Sequence, residues 1–168
     1  IRKRIIIIIM NLKISHSIIL IALATLLFSC DSDRVFEQTI DIPDGIWNKE
    51  NILVFDVPIT DTLSSHNILV NVRHTSFYQY QNLFLFINTT APSGASIRDT
   101  FECILADNKG KWYGSGLGDI WDNQILLKKN VRFPYSGVYK FEIEQAMRKP
   151  NLPFIMDVGV RIETANNN

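Results

Sequence analysis

The chain has 168 residues and is poor in the side chains from which most catalytic and metal sites are built. It holds only two cysteines and three histidines. Two cysteines allow at most one disulfide, which excludes a disulfide-framed scaffold. His66 and His74 stand near opposite ends of one expected strand, separated by seven or eight steps of about 3.3 Å, too far apart to share a metal. Neither belongs to a ligand motif, so both read as exposed strand-end histidines and no metal site is expected. No Gly-x-Ser-x-Gly elbow occurs, which removes the signature of a serine hydrolase. No Gly-Lys-Ser or Gly-Lys-Thr follows a strand, so no nucleotide or other cofactor is expected. An excess of charge of one sign is also missing, with 17 basic residues against 17 acidic ones. A nucleic-acid footprint is therefore not expected.

One long apolar run is present, at the start of the chain. It ends at Leu26-Leu27-Phe28-Ser29-Cys30 and is followed at once by Asp31-Ser32-Asp33-Arg34. Lys13 supplies a basic region and Ile18 to Phe28 a short apolar core, the parts of a secretory signal. Ser29 is small, as a cleavage site requires. Residues 1–29 thus read as a signal peptide, and Cys30 as the first mature residue, acylated on its thiol by chains such as palmitate. Each buried methylene adds about 0.8 kcal/mol of membrane affinity, so several chains on one cysteine anchor a domain durably. The alternative is an uncleaved span. Leu12 to Phe28 still contains Lys13 and His16 and is short of the roughly 20 apolar residues a span needs. Met10 is the expected start of translation, with Ile1 to Ile9 read as upstream sequence. Four of the 17 basic residues (Arg2, Lys3, Arg4 and Lys13) leave with the signal, so 13 face 17 acidic ones.

Beyond Cys30 the chain reads as strands. Residues 30–34 form a short lipidated tether, 35–163 a single domain and 164–168 a disordered tail. Runs at Val35 to Ile40, Ile52 to Ile59, Asn67 to Arg73, Leu83 to Ile87, Ile97 to Ala106, Ile125 to Phe133, Val138 to Gln145 and Ile155 to Glu163 alternate or are continuously apolar. Turn residues separate them. Pro58 points to a sheet edge, and Leu83 to Ile87 to a central strand. On the last run Met156, Val158, Val160 and Ile162 are expected to face inward. Gln145 to Lys149 is expected to form one helical turn. About eight such strands predict an all-β fold, a single β-sandwich of jelly-roll or immunoglobulin-like type. Ser136-Gly137-Val138-Tyr139 resembles a tyrosine corner, in which the hydroxyl bonds nearby backbone. Cys103 sits on the apolar face of its strand and reads as a buried structural cysteine.

The conspicuous loop is Gly110 to Asp119. It could be a folded crossover or a recognition loop. Trp112, Tyr113 and Trp121 offer rigid contact area beside Gly114 and Gly116, and are the candidate interaction residues. Phe77 to Gln81 is a second aromatic, uncharged loop. Aromatics mixed with amides suit either protein contact or sugar stacking. Glu102, Asp107, Asp119 and Asp122 are carboxylates without a readable pairing, so a glycosidase pair has no support. No catalytic residues are assigned.

With these residues in view the chain resembles the gliding motility lipoprotein GldH family. The carriers are Cys30 to Val35, Asn82 to Ile87, Asp99 to Asp107, Gly110-Lys111-Trp112, Phe133 to Tyr139, Glu144 to Arg148 and Asp157 to Glu163. Their joint order, more than any one of them, makes the resemblance. It implies a non-enzymatic lipoprotein of the cell envelope, anchored in the outer membrane. Its role would be to support gliding motility and the associated type IX secretion machinery by contact with other gliding lipoproteins or secretion components. Only Cys30 carries over as a functional position. The alternative function is a surface-exposed carbohydrate-binding lipoprotein module.

Overall fold

Alternation of apolar and polar residues governs the architecture of this computed structural model, which describes residues 33–165. The expected signal peptide, Cys30 and the start of its tether lie outside the described residues, as do residues 166–168. Eleven strands follow in order: β1 Arg34–Asp41, β2 Ile46–Asn48, β3 Leu53–Ile59, β4 His66–Thr75, β5 Asn82–Thr90 and β6 Ser96–Ile104, then β7 Ser115–Leu117, β8 Ile120–Val131, β9 Gly137–Gln145, β10 Asn151–Pro153 and β11 Ile155–Thr164. Every pairing among them is antiparallel.

One sheet has the order β1-β11-β4-β8-β7, another β3-β9-β5-β6, and β10 pairs β2 in a separate ribbon. Setting aside the three strands of three residues, the eight long strands counted along the chain lie in the orders 1-8-3-6 and 2-7-4-5. That is jelly-roll connectivity, which selects between the two expected types of sandwich. Leu53, Phe55, Val57 and Ile59 from β3 and Leu83, Leu85 and Ile87 from β5 meet Val70, Val72, Val160 and Ile162 of the facing sheet in one core. Each such side chain contributes roughly 1.5–3 kcal/mol on burial. Trp47 and Leu152, opposed in the ribbon, are fully buried and extend the same core. The Trp47 indole N–H donates to Asn51 O at 2.9 Å.

Several expectations hold in detail. Pro58 lies on β3, an edge strand, and β5 is interior to its sheet. Tyr139, Phe141 and Ile143 are buried, and the Tyr139 hydroxyl donates to Tyr135 O at 3.1 Å, which completes the tyrosine corner.

Other expectations are corrected. The register shifts between Ile155 and Asp157, so Ile155 turns into the core and Met156 is only half-buried. No helical turn forms over Gln145 to Lys149, because the Gln145 amide supplies the missing partners itself. Its Oε1 accepts from Met147 N–H at 2.9 Å and its Nε2 donates to Lys149 O at 2.9 Å. His66 and His74 are buried, not exposed. Phe133 covers one and Trp112 the other, closing both ends of β4 with aromatic rings. The strands also run past two expected ends. Arg34 already pairs Glu163 in β1, and Thr164 ends β11 with the Ala165 N–H bonded to Ser65 O.

Candidate functional site

Asp107 leads into the conspicuous loop. Its Oδ1 accepts from the N–H groups of Lys109 and Lys111 at 2.8 and 2.9 Å, a tight turn that Gly110 completes at φ +81°. The chain then returns on itself. Trp112 pairs Ala106 in an isolated bridge, and Tyr113 N–H donates to Leu105 O at 2.8 Å. This return swings the Trp112 ring onto His74, with centroids 4.5 Å apart, and towards Tyr78. Beyond it β7 and β8 form a hairpin in which Leu117 opposes Ile120. Gly118 takes the first turn position at φ +64°, as a two-residue hairpin turn requires.

The glycines here serve close approach. A Cβ on Gly114 would stand 2.1 Å from Asp122 O, and one on Gly116 would stand 2.8 Å from the Trp121 ring. Trp121 therefore lies across Gly116, its cross-strand partner. Trp121 Nε1 is 3.4 Å from Ser76 Oγ, and Ser76 N–H donates to Asp119 O at 2.7 Å, so the hairpin is tied to the second aromatic loop. The structure thus places Gly116 and Trp121 in the hairpin and Trp112, Tyr113 and Gly114 in the segment that leads into it, each in different surroundings. Trp112 packs inward, Trp121 is half-buried, and Tyr113 stays 49% exposed. Leu117, at 89% exposure, joins Tyr113 on the outside. In the second loop Tyr78 is buried with its hydroxyl donating to Asn82 O, whereas Phe77 is exposed against Phe154.

The titratable groups beneath this hairpin are held neutral. Burial pushes the His74 imidazole down, against a smaller opposing effect of the Thr75 carbonyl. Its Nδ1 lies 2.9 Å from Thr75 O, and its Nε2 has no hydrogen-bond partner. Burial pushes the Tyr78 hydroxyl and the Cys103 thiol well up. A buried thiol held protonated is a poor nucleophile. The carboxylates singled out from the sequence are each engaged in structure. Glu102 accepts from Asn82, Asp107 holds its turn, Asp119 lies beside Ser76, and Asp122 pairs Arg73. Among the described residues no group of three His, Cys, Asp or Glu side chains converges as a metal site, and no helix is long and apolar enough to cross a membrane.

The outer face of the five-stranded sheet carries an ionic lattice that sequence reasoning missed. Arg73 lies between Asp122 and Asp157, the latter at 3.1 Å. Arg161 lies between Glu37 at 2.9 Å and Glu163 at 3.2 Å. Burial pushes the Asp157 carboxyl up, and the adjacent Arg73 opposes it. These pairs border an open basin of about 360 Å³. Alternation alone could have placed Arg73, Asp157 and Arg161 on the outer faces of their strands, but their pairing across β1, β11, β4 and β8 is set by sheet order.

Residues 34–162 match the model of the GldH lipoprotein family. The chain belongs to that family. It is 37% identical over 159 residues to the gliding motility lipoprotein GldH of Flavobacterium johnsoniae, covering 90% of this chain and 98% of that one. It is 34% identical over 164 residues to the gliding motility lipoprotein GldH homolog of Christiangramia forsetii, covering 93% of this chain and all of that one. Among solved structures it is similar to the VP2 subviral particle of infectious bursal disease virus, at 15% identity and a TM-score of 0.37. The chain spans about a third of that viral chain, 34%, and so distant a likeness bears on neither fold detail nor function. As a GldH-family lipoprotein the chain is a lipid-anchored protein of the cell envelope.

Proposed function

We propose that this GldH-family chain is a non-catalytic component of a gliding apparatus, anchored through Cys30 to the outer membrane and acting by protein contact. The observation that carries this reading is the match to gliding motility lipoproteins along nearly the whole chain. The chemistry of the fold agrees with it. The buried histidine, tyrosine and thiol beneath the hairpin are held in their neutral forms, which suits packing and not proton transfer. Residues 1–29 are the signal peptide, a tether runs from Cys30 to the start of β1 at Arg34, and the strands from β1 to β11 form the partner-binding domain. Other gliding lipoproteins or type IX secretion components are the partners.

Within that domain the outer surface of the hairpin and of the segment leading into it is the proposed contact, with Tyr113 and Leu117 as anchors, Trp112 and Trp121 holding it in shape, and Gly114 and Gly116 allowing the close approach. Aromatic anchors ringed by polar residues are what a protein partner buries. The sugar-binding alternative asks for an exposed ring platform. The Trp112 and Trp121 rings lie against His74 and Gly116 instead, so the protein reading is preferred.

The test is complementation of a deletion strain with the wild-type gene and with Cys30→Ser. The wild type restores spreading on a surface, and the serine variant, which cannot be acylated, does not. Full spreading by Cys30→Ser, with the protein found in the soluble fraction, would remove the anchor from the mechanism.

A further inference from the structure

Each sheet of an open sandwich ends in strands whose outer N–H and C=O groups have no partner, and such edges invite another strand unless something blunts them. Three of the four edges here are blunted. β7 is only three residues long, β3 carries Pro58, and β1 has a register shift between Arg34 and Phe36. β6 is different. Among the described residues it pairs only with β5, over nine residues from Ser96 to Ile104, with no register shift, no proline, no glycine and no lysine. Asp99, which faces the inner side of the sheet, is already neutralised by Lys128 at 2.6 Å. Ile97 is on that inner side too, opposite Thr89, and yet is 61% exposed. It lines an apolar groove of about 240 Å³ together with Leu127, Phe133 and Tyr139. An inward-facing isoleucine left this open marks a place where the sheet ends before its apolar face does.

We propose that β6 is the contact edge of a twofold dimer, in which β6 of a second copy of this chain lies antiparallel beside it and joins the two four-stranded sheets. The sequence of the strand is self-complementary about Thr100. Antiparallel pairing centred there sets Arg98 of each copy opposite Glu102 of the other, and Thr100 opposite Thr100. Opposite charges and threonine pairs are both favourable cross-strand neighbours. A twofold axis makes the Arg98–Glu102 contact twice and places the Thr100 pair once, on the axis itself, as an isologous interface requires. The second copy is favoured over an unrelated peptide by this match of charge to charge within one short strand. Edge pairing of nine residues falls short of the roughly 1,200 Å² that stable complexes bury. The dimer therefore depends on the high local concentration that confinement to a membrane supplies. This inference is independent of which envelope proteins the chain contacts.

The test uses the full lipidated chain in its own envelope. Thr100→Cys places two thiols opposite each other at the axis, where paired Cα atoms lie about 4.5–5.5 Å apart, within disulfide reach. Mild oxidation is expected to convert most of this variant to a disulfide-linked dimer. Ser96→Cys, equally on β6 but opposed by Ile104 of the other copy, is expected to remain monomeric. Arg98→Glu in the Thr100→Cys background is expected to reduce the cross-link at least fivefold, and adding Glu102→Arg to restore it. The restoration matters because Arg98 also pairs Glu144, so a single charge reversal could act through the fold. Absence of the Thr100→Cys dimer, equal cross-linking at Ser96→Cys, or no recovery in the double reversal would each overturn the proposal.

Discussion

His74 is buried and its protonation is opposed by burial, so its charge state links stability to pH. Unfolded, the ring takes a proton near its ordinary value of 6.5. Folded, it resists until a lower pH. The stability this contributes is present above pH 6.5 and is lost as pH falls from there through the folded value, with a slope of at most about 1.4 kcal/mol per pH unit. Urea midpoints measured between pH 8 and pH 5 should show this fall. His74→Leu should remove that part of the slope, and an unchanged slope would mean another group carries it. Glycines give a second residue-scale prediction. Gly114→Ala adds a Cβ 2.1 Å from Asp122 O at φ +79° and should cost more than about 2 kcal/mol. Gly94→Ala, at φ +86° with nothing within 4 Å, should cost about 1 kcal/mol from backbone strain alone. Equal unfolding midpoints for the two variants would contradict the close approach. At this scale the sequence was legible where composition decides, as at Cys103 and Tyr139. It was not legible at His66 and His74, because the rings that cover them, Phe133 and Trp112, come from segments remote in sequence.

Among the elements, strands with strict alternation were readable. β3 buries every second residue from Leu53 to Ile59, and β9 does the same from Tyr139 to Gln145. The sequence signal for β8 starts only at Ile125, because Asp122-Asn123-Gln124 are polar on both faces although they pair β4 in regular register, and it loses its period towards Val131, where that pairing shifts twice. β2, β7 and β10 have three residues each, too few to show a period. The hairpin of β7 and β8 therefore shows in the sequence only as a glycine-rich, aromatic loop. The tyrosine corner offers the test at this scale. Tyr139→Phe removes the hydroxyl that accepts from Tyr135 N–H at 3.2 Å and donates to Tyr135 O. It should destabilise by about 1–3 kcal/mol, read as a lower urea midpoint with an unchanged slope. In β5, Leu85→Ala should cost about 2–5 kcal/mol, because Leu85 is fully buried between the sheets. A loss below 1 kcal/mol would mean the core relaxes far more freely than the close packing of β5 between β9 and β6 allows.

For the whole molecule, the family and the sandwich followed from the order of short segments, but the site did not. The sequence offered Trp112 as a contact residue by its type and neighbours. In the structure its ring is taken up by His74, which leaves Tyr113 and Leu117 facing outward. A loop's composition shows which side chains are present, while the return of the chain at Asp107 decides which of them face out. The central claim is that the hairpin of this lipid-anchored domain binds other proteins of the gliding apparatus. The most direct measurement is quantitative affinity capture of the lipidated protein from detergent-solubilised envelope, comparing wild type with Tyr113→Ala/Leu117→Ser. Both altered side chains are exposed, so the fold should be retained. The account predicts that wild type recovers defined gliding or secretion proteins and that the variant loses at least tenfold of them while remaining folded and acylated. Recovery of the same proteins in the same amounts by the folded variant would contradict it.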